Sequence, residues 1–286
     1  MKFHWIQQQA CCFEVAVMCG VLGVSRQGYY AWTTRRLSEA AERRLHLIQH
    51  IRQVHAQSRG TYGSPRIHAE LAEKRVICCV NTVARLMQQA EIRACTTKRF
   101  IPRTTDGAHD KPVFENVLNR EFAAALPNQK WVCDITYIPT AEGFLYLACV
   151  LDLCSRKIIG WSMTDHLRTQ LCLEALQMAI QQRHPQAGLL HHSDRGVQYA
   201  DGDYQQQLKA LGIRCSMSRV GNCYDNAVME SFWGSLKSEH VYQQTFTTRQ
   251  EAKTSIFLWM EGWYNRRRRH CALGYQSPET FEANLN

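Results

Sequence analysis

Three acidic residues, Asp134, Asp194 and Glu230, lie in segments that are rich in apolar residues. Asp134 is in the middle of WVCDITYI, Asp194 ends LLHHSD and Glu230 belongs to DNAVMESFWGSLK, with 59 and 35 residues between them. A carboxylate in an apolar segment is costly unless a cation or a hydrogen-bonding partner offsets its charge. Three converging carboxylates would form an oxygen-rich site for Mg²⁺ or Mn²⁺. Two such ions in one site are suited to phosphoryl transfer on nucleic acid.

The elements that carry these residues are predicted from a change of periodicity after residue 129. Three β-rich segments, WVCDITYIP, FLYLACVLDLCS and RKIIGWSM, precede an amphipathic helix over 169–183. The strand LLHHSD, a helix over 203–211, the strand IRCSMS and a helix over 224–240 complete the series. This order predicts an α/β, ribonuclease-H-like fold, with a mixed five-stranded sheet flanked by helices. Such a fold carries carboxylates on its first strand, after its fourth strand and on its last helix.

The last helix of this series is predicted to have a functional face. Glu230 follows Asn226 by four residues and precedes Lys237 by seven, so the three side chains project to one side. We expect Asp134 to bridge two metal ions, while Asp194 and Glu230 each hold one. Lys237 would contact the DNA backbone as a point charge, and Asn226 would supply an amide for hydrogen bonding.

Four neighbouring residues receive other interpretations. Cys133 lies on the strand face opposite to the first carboxylate, so we expect little catalytic effect from it. His192 shares a strand face with the second carboxylate, and either approaches the site or belongs to the core. Asp152 and Asp225 are interpreted as structural, with Asp225 a candidate N-cap of the last helix.

A helix-turn-helix motif is predicted within residues 13–36. A short apolar helix is followed by a glycine-containing break, and Ser25 is a suitable N-cap for a second helix. Arg26 and Gln27 stand at the start of that second helix, where such motifs contact the DNA groove. A plain helical hairpin is the alternative.

A second helix-turn-helix-like unit is predicted from a repeat of this pattern. Ser64 and Asn81 are the expected N-caps of its two shorter helices, and Arg85 is its candidate DNA contact. The region also loosely resembles the histidine and cysteine zinc module of retroviral integrases, but adjacent cysteines without C-x-x-C spacing argue against zinc. The residues in question are His46, His50, Cys78 and Cys79.

The net charge of +9 is unevenly distributed. Residues 1–110 hold 16 Lys and Arg against 8 Asp and Glu, residues 111–240 hold 12 against 13, and residues 241–286 hold 6 against 4. Basic flanks around a nearly neutral centre fit a polyanionic partner. Near the C-terminus, aromatic residues interleave with a run of arginines, which predicts DNA-backbone binding, although a solvated charge run is the alternative. The run consists of Arg266, Arg267, Arg268 and Arg269.

These patterns predict the domain organisation and the compartment. No run of 18 apolar residues and no signal-peptide core is present, and the 13 cysteines never form C-x-x-C. We therefore expect a cytoplasmic protein with reduced thiols and no membrane contact. The expected domains are a helix-turn-helix at 1–40, a second such unit at 41–100, a linker at 101–128, a catalytic core at 129–243 and a C-terminal basic helix and tail at 244–286.

Several long motifs occur in order: MCGVLGVSRQGYYAW, WVCDITYIPT, HHSDRGVQY, SMSRVGNCYDNAVMESFWGSLKSE and WYNRRRRHCALGYQSPETFE. With these motifs the chain closely resembles insertion-sequence transposases of the IS-three type, specifically their frame-B product, which carries a retroviral-integrase-like DDE catalytic core. The resemblance covers nearly the whole chain. A cysteine at position 133, where we expect a small hydroxyl residue, is a departure from the family pattern.

The resemblance implies an enzyme of DNA transposition with two Mg²⁺ or Mn²⁺ ions in its active site. Such an enzyme nicks DNA at the terminal inverted repeats of the element and then uses the freed 3′-hydroxyl in strand transfer. It also implies a frame-A partner protein and a homo-oligomer assembled on DNA. Two rival functions are a catalytically inactive DNA-binding regulator of element ends and a simple ribonuclease-H-type nuclease. The intact carboxylate triad disfavours the first rival, and the helix-turn-helix units disfavour the second.

Overall fold

The computed structural model describes residues 1–36, 38–95, 113–219 and 223–285. The chain divides into two compact units, Met1–Gln53 and Val54–Asn286. The described helices are α1 (Lys2–Gln9), α2 (Val15–Leu22), α3 (Arg26–Thr33), α4 (Glu39–Gln57), α5 (Ser64–Glu73), α6 (Val80–Gln89), α7 (Thr169–Arg183), α8 (Gly202–Ala210), α9 (Ala227–Glu239), α10 (Arg249–Phe257) and α11 (Pro278–Ala283). The described strands are β1 (Lys130–Thr140), β2 (Gly143–Asp152), β3 (Ile158–Thr164), β4 (Leu190–Ser193) and β5 (Arg214–Met217).

In the first unit, α1, α2 and α3 pack around a small apolar core that includes Ile6 and Tyr29. Gly23 ends α2 with a φ of +61°, a left-handed conformation that glycine adopts without strain. Ser25 then caps α3, because its Oγ accepts the N–H of Gly28 at 3.0 Å. The predicted pair of helices with a glycine-containing turn and a serine cap is therefore confirmed.

The second unit begins with its own pair of packed helices, α5 and α6. Both helices start earlier than predicted. Ser64 is the first residue of α5 and Gly63 is its N-cap, while α6 starts ahead of Asn81, with Cys79 as its N-cap. Neither start has a capping hydrogen bond from a side chain, so polar residues did not mark these boundaries. The apolar face of α6 is buried and consists of Val83, Leu86 and Met87.

The five strands form one mixed sheet in the order β3-β2-β1-β4-β5. Neighbours β1, β2 and β3 are antiparallel, whereas β4 pairs parallel to both β1 and β5. The hairpin between β1 and β2 turns at Ala141 and Glu142, and Gly143 begins β2 with a φ of +103°. The sheet confirms the predicted mixed five-stranded architecture.

Helix α7 packs against β2 and β3 over the main core. Gly160 on β3 permits this contact, because a Cβ there would collide with the main chain of Ala175 and the side chain of Ala179. The core of this layer contains Trp131 and Leu176 at 0% exposure. Within the described part of the chain, each helix is too short or too polar to span a bilayer.

The C-terminal segment is an integral part of this unit. After α10, a π-helical stretch at Leu258–Tyr264 places Met260 at 0% exposure, with its sulfur 3.9 Å from Cys149 Sγ on β2. The Asn265 side chain bonds the main-chain N–H and C=O of Ile158, each at 2.9 Å. The segment predicted as a basic tail is thereby anchored to β3.

Candidate active site

The first two carboxylates are brought together by strand register. Strand β1 runs parallel to β4, and Val132 pairs with His192. Asp134 lies two residues beyond Val132, and Asp194 lies two residues beyond His192. Side chains two residues apart on a strand point to the same face of the sheet. The carboxylates of Asp134 and Asp194 therefore lie on the same face, on neighbouring strands.

The carboxylate of Asp134 has two hydrogen-bond donors. Its Oδ1 accepts the N–H of Ile135 at 2.8 Å, and its Oδ2 accepts the indole N–H of Trp233 at 2.8 Å. Trp233 lies on α9, three residues after Glu230, and is 7% exposed. The sequence interpretation did not include Trp233, although its spacing from Glu230 placed it on the neighbouring part of the helix surface.

The third carboxylate, Glu230, lies in the first turn of α9 and is exposed. Asp194 is partly buried, and the turn after β4 wraps it, since the N–H of Gly196 donates to its Oδ1 at 2.9 Å. As placed, no three His, Cys, Asp or Glu side chains of the described residues form a group that could hold a metal ion. The three carboxylates therefore share one region of the molecule but do not form a closed ligand set.

The pKa of Asp134 reflects its burial and the two acidic side chains near it. Burial raises the pKa of Asp134 from 3.8 to about 8, and the charges of Asp194 and Glu230 add to the shift. The hydrogen bonds from Trp233 and Ile135 lower that pKa and offset only part of the shift. All-oxygen donors that repel one another are the donor set that Mg²⁺ and Mn²⁺ prefer. The chemistry of the residues thus fits a divalent cation.

Lys237 and Asn226 are both on or next to α9 but differ in their surroundings. Lys237 is 9% exposed, with Nζ 5.0 Å from the ring centroid of Tyr137, and burial lowers its pKa while the charge of Asp134 raises it. Asn226 is 6% exposed and is the N-cap residue of α9; its Nδ2 donates to the main-chain oxygen of Cys133 at 3.2 Å. This amide group is directed into the protein, which corrects its expected role as a DNA contact.

Asp225 anchors the 3₁₀ turn Cys223–Asn226 that precedes α9. It is fully buried and accepts hydrogen bonds from Arg219 Nη2 at 2.9 Å, Arg120 Nε at 3.1 Å and Asn116 Nδ2 at 2.8 Å. The bond from Arg219 is the main reason that the pKa of Asp225 is held well below its usual range. The structural interpretation of Asp225 is confirmed, although Asn226 occupies the capping position.

The other neighbours of the triad are core residues. Cys133 is 1% exposed and its Sγ lies 2.9 Å from His191 Nε2, on the opposite face of β1, as predicted. His192 is fully buried, with its ring nitrogens 2.9 Å from Ser216 Oγ and 3.1 Å from Ser218 Oγ. Burial lowers the pKa of His192 to about 4. His192 therefore belongs to the core, which decides between its two interpretations.

Asp152 is structural as interpreted from the sequence. It is fully buried, and its carboxylate accepts the N–H of Asn128 at 2.6 Å and the N–H of Cys154 at 2.8 Å. The side chain therefore holds the segment before β1 and the turn after β2, and it is not part of the carboxylate site.

The predicted DNA contacts in the helical regions are accessible. Arg26 and Gln27 are exposed in the first turn of α3, and Arg85 is exposed on α6 opposite to its buried face. The residues compared with a zinc module, His46, His50, Cys78 and Cys79, include no set of three that could bind a metal ion among the described residues.

The arginine run near the C-terminus contains two exposed residues and two that form ion pairs with glutamates of other helices. Arg266 and Arg267 are exposed. Arg268 is 3% exposed and forms a bidentate pair with Glu239 at 2.7 and 2.6 Å. Arg269 pairs with Glu70 at 2.6 Å and also with Glu73 on α5. DNA contact by Arg268 and Arg269 is therefore corrected, because their guanidinium groups hold other parts of the protein together.

Family models match three parts of the chain. An integrase core domain matches residues 124–223, a second integrase core domain model matches residues 211–278, and an HTH-like domain matches residues 42–100. The first two ranges include the sheet, all three acidic residues and the C-terminal segment. These matches, together with the observed sheet, assign the protein to the integrase-core class of DNA-processing enzymes.

Relatives of known family match almost the full length. The chain is 43% identical over 284 residues to the transposase InsF of insertion sequence IS3A from Escherichia coli strain K12, covering 99% of this chain and 98% of the relative. It is 44% identical over 264 residues to an uncharacterized 31 kDa protein of insertion element IS600 from Shigella sonnei, covering 92% and 97%. The chain therefore belongs to the family of IS3-type transposases, polynucleotidyl transferases that act on DNA.

Solved structures with a similar fold are more distant. A simian T-cell lymphotropic virus intasome, in complex with PP2A regulatory subunit B56 gamma, aligns with a TM-score of 0.47 at 14% identity, covering 80% of this chain and 73% of that one. The HTLV-2 integrase catalytic core domain in complex with magnesium aligns with a TM-score of 0.44 at 15% identity, covering 56% and 99%.

Proposed function

We propose that Asp134, Asp194 and Glu230 are the catalytic carboxylates and that they bind two Mg²⁺ or Mn²⁺ ions for strand cleavage and strand transfer at the ends of an insertion sequence. The observation that carries this proposal is the parallel register of β1 and β4. It sets two carboxylates side by side, next to the helix that carries the third.

In this proposal each carboxylate has a separate task. Asp134 would hold both ions, while Asp194 and Glu230 would each hold one. Bound ions would activate the attacking oxygen and stabilise the leaving oxygen at the scissile phosphate. In cleavage a water oxygen forms the new bond to phosphorus and a 3′-hydroxyl leaves. In strand transfer that 3′-hydroxyl attacks a phosphodiester of the target DNA, its oxygen forms the new bond to phosphorus, and the 3′-oxygen of the target strand leaves.

Closure of the ligand set is expected to accompany cation binding. Glu230 is exposed in the first turn of α9, and the carboxylates of Asp134 and Asp194 each accept a main-chain N–H. Lys237, beside Asp134, would then compensate the negative charge of the site and of the DNA backbone.

DNA binding is assigned to the exposed basic groups. We infer that Arg26 and Gln27 read element ends from the first turn of α3, and that Arg85, Arg266 and Arg267 contact the DNA backbone. A frame-A partner and a homo-oligomer on DNA belong to the same proposal. Because its proposed substrate is DNA, we place the enzyme in the cytoplasm, associated with the bacterial nucleoid.

The alternative function is a catalytically inactive regulator that occupies element ends without cutting them. All three carboxylates are present, and a protein that only binds DNA has no need of a strained carboxylate such as Asp134. The metal-dependent transposase is therefore the better-supported function.

The decisive experiment is cleavage and joining of labelled element-end DNA with Mg²⁺. We expect Asp194→Asn to lower both reactions by at least about 10³-fold while leaving DNA affinity within about twofold, because the carboxylate acts only in catalysis. Glu121→Gln is the matched control, since its carboxylate is 78% exposed and lies outside the site. Cleavage by Asp194→Asn at the control rate would contradict the site assignment.

A further inference from the structure

Three polar contacts join α9 to β1. From the start of α9 onwards, Asn226 Nδ2 donates to the Cys133 oxygen at 3.2 Å, Trp233 Nε1 donates to Asp134 Oδ2 at 2.8 Å, and Lys237 Nζ lies over the Tyr137 ring. Asn226, Trp233 and Lys237 are spaced by seven and four residues, so they form one stripe along the helix. The central contact of this stripe is the only one of the three made to a proposed metal ligand.

The contact leaves the Asp134 carboxylate able to bind cations. A carboxylate has about four acceptor sites on its two oxygens. The N–H of Ile135 uses one site on Oδ1, and the indole N–H uses one on Oδ2. Each oxygen thus retains acceptor capacity with which the carboxylate could bind a cation. An indole N–H is a donor only, and does not compete as a ligand.

The indole is also fixed in place. Trp233 is 7% exposed and its ring packs against Phe232, with centroids 4.8 Å apart. Glu230 precedes it by three residues on the same helix. The hydrogen bond therefore joins the strand that carries the first carboxylate to the helix that carries the third.

We propose that Trp233 is a positioning residue of the active site, which orients Asp134 through its indole N–H and sets the separation between Asp134 and Glu230. This inference rests on the proposed function of the three carboxylates. A hydrogen-bond donor behind a metal ligand fixes the orientation of that ligand, and its loss weakens metal binding. The aromatic ring itself is required only for packing.

The test distinguishes the effect of the indole N–H from the effect of the packed aromatic ring. In the full chain, Trp233→Phe removes the donor, and Trp263→Phe is the matched control because Trp263 is also 7% exposed and its indole N–H has no hydrogen-bond partner within the described residues. Mn²⁺ binding is measured by electron paramagnetic resonance, and the half-saturating Mg²⁺ concentration is measured in cleavage of labelled element-end DNA.

We expect Trp233→Phe to weaken Mn²⁺ binding and to raise the half-saturating Mg²⁺ concentration by about 10- to 100-fold. Trp263→Phe should change both by less than about twofold. If Trp233→Phe does not fold, 3-benzothienylalanine at position 233 provides the shape of tryptophan without the N–H and should give the same loss. Equal losses in the two phenylalanine variants, or wild-type Mn²⁺ binding without the N–H at position 233, would overturn the proposal.

Asp134→Asn, measured in parallel, separates this inference from the function on which it rests. If Asp134→Asn retains Mn²⁺ binding and cleavage, the carboxylate site itself is misassigned. If Asp134→Asn loses both and Trp233→Phe loses neither, the site stands and only the role of Trp233 fails.

Discussion

At the scale of single residues, the carboxyl group of Asp134 has a strongly raised pKa. It receives two N–H donors, yet burial and the neighbouring charges of Asp194 and Glu230 still raise its pKa to about 8. A carboxyl group whose pKa is raised in the folded state binds a proton more tightly folded than unfolded. Its ionisation therefore opposes folding, and a bound cation would remove that opposition.

This sign leads to a pH prediction. Below pH 4, Asp134 is protonated in both the folded and the unfolded state and does not change the free energy of unfolding. As the pH rises from about 4 to 8, the metal-free protein loses stability because Asp134 ionises more readily in the unfolded state. We expect Asp134→Asn to stabilise the metal-free protein at pH 8 by at least about 1 kcal/mol, or roughly 2 °C or more in Tm, with no gain at pH 4. Thermal unfolding in EDTA at the two pH values measures the difference.

The same unfolding series with added Mg²⁺ is its control. Wild type should gain stability with Mg²⁺ at pH 8, whereas Asp134→Asn should gain little. A variant that is less stable than wild type at pH 8 without metal would contradict the assigned sign.

At the scale of elements, α9 is held at both ends. The turn before it is fixed by Asp225 with its arginine and asparagine partners, and its last residue, Glu239, is fixed by Arg268. Arg66 on α5 lies 3.6 Å from the same Glu239 carboxylate. The helix that carries Glu230 is therefore positioned by ion pairs at a distance from the carboxylate site, and its C-terminal ion pair also reaches the HTH-like region.

The buried pair of Arg268 and Glu239 should be important for stability. Their side chains are 4% and 8% exposed, so loss of Arg268 removes the bidentate partner of a buried carboxylate and leaves it only the longer ion pair with Arg66. We expect Arg268→Ala to lower the free energy of unfolding by about 3–5 kcal/mol. Arg266→Ala, two residues away with a side chain that is 65% exposed, should change it by less than about 0.5 kcal/mol.

Urea unfolding of the two variants measures this difference, with DNA affinity recorded beside it. If Arg268 contacts DNA instead, its removal would weaken DNA binding and leave stability nearly unchanged. Equal and small stability changes in both variants would show that the ion pair does not hold α9.

At the scale of the whole molecule, the boundary between the compact units does not coincide with the boundary of the HTH-like family match. The chain divides into compact units after Gln53, whereas the HTH-like family match covers residues 42–100. Helix α5 is held by Arg269 through Glu70 and Glu73, so removal of residues 1–95 would leave that arginine without its partners. Recognition is better tested by substitutions in the full chain.

Such a test uses the exposed first turn of α3. We expect the double variant Arg26→Ala, Gln27→Ala to bind element ends about 5- to 150-fold more weakly, while its affinity for random DNA changes little. Arg43→Ala, which removes one exposed charge from α4, is the control. Filter binding at fixed salt on both DNAs gives the ratio, and an unchanged ratio in the double variant would rule out base reading by α3.

Local patterns predicted the sheet and the carboxylates because both depend on short-range signals. Alternating apolar segments around Asp134 and the buried strand before Asp194 indicated adjacent strands, and the described structure has that arrangement. The roles of the carboxylates in catalysis remain predictions.

Contacts between distant parts of the chain could not be predicted in this way. Four consecutive arginines are typical of a solvated or DNA-binding surface, and only the folded chain brings Arg268 and Arg269 to their acidic partners. Trp233 was missed for the same reason, since its partner Asp134 is 99 residues away. Asn226 was expected on the helix surface, but the 3₁₀ turn before α9 directs it inward.

The ion pair between Glu70 and Arg269 can form only late in the synthesis of the chain. The two residues are 199 positions apart, and a ribosome that adds about 5–20 residues per second needs roughly 10–40 s to cover that interval. Asp134 likewise emerges well before Trp233. Until that interval has been made, Glu70 and Glu73 are without their Arg269 partner, and a product that ends before Arg268 would lack the ion pairs that these two arginines make with α5 and α9.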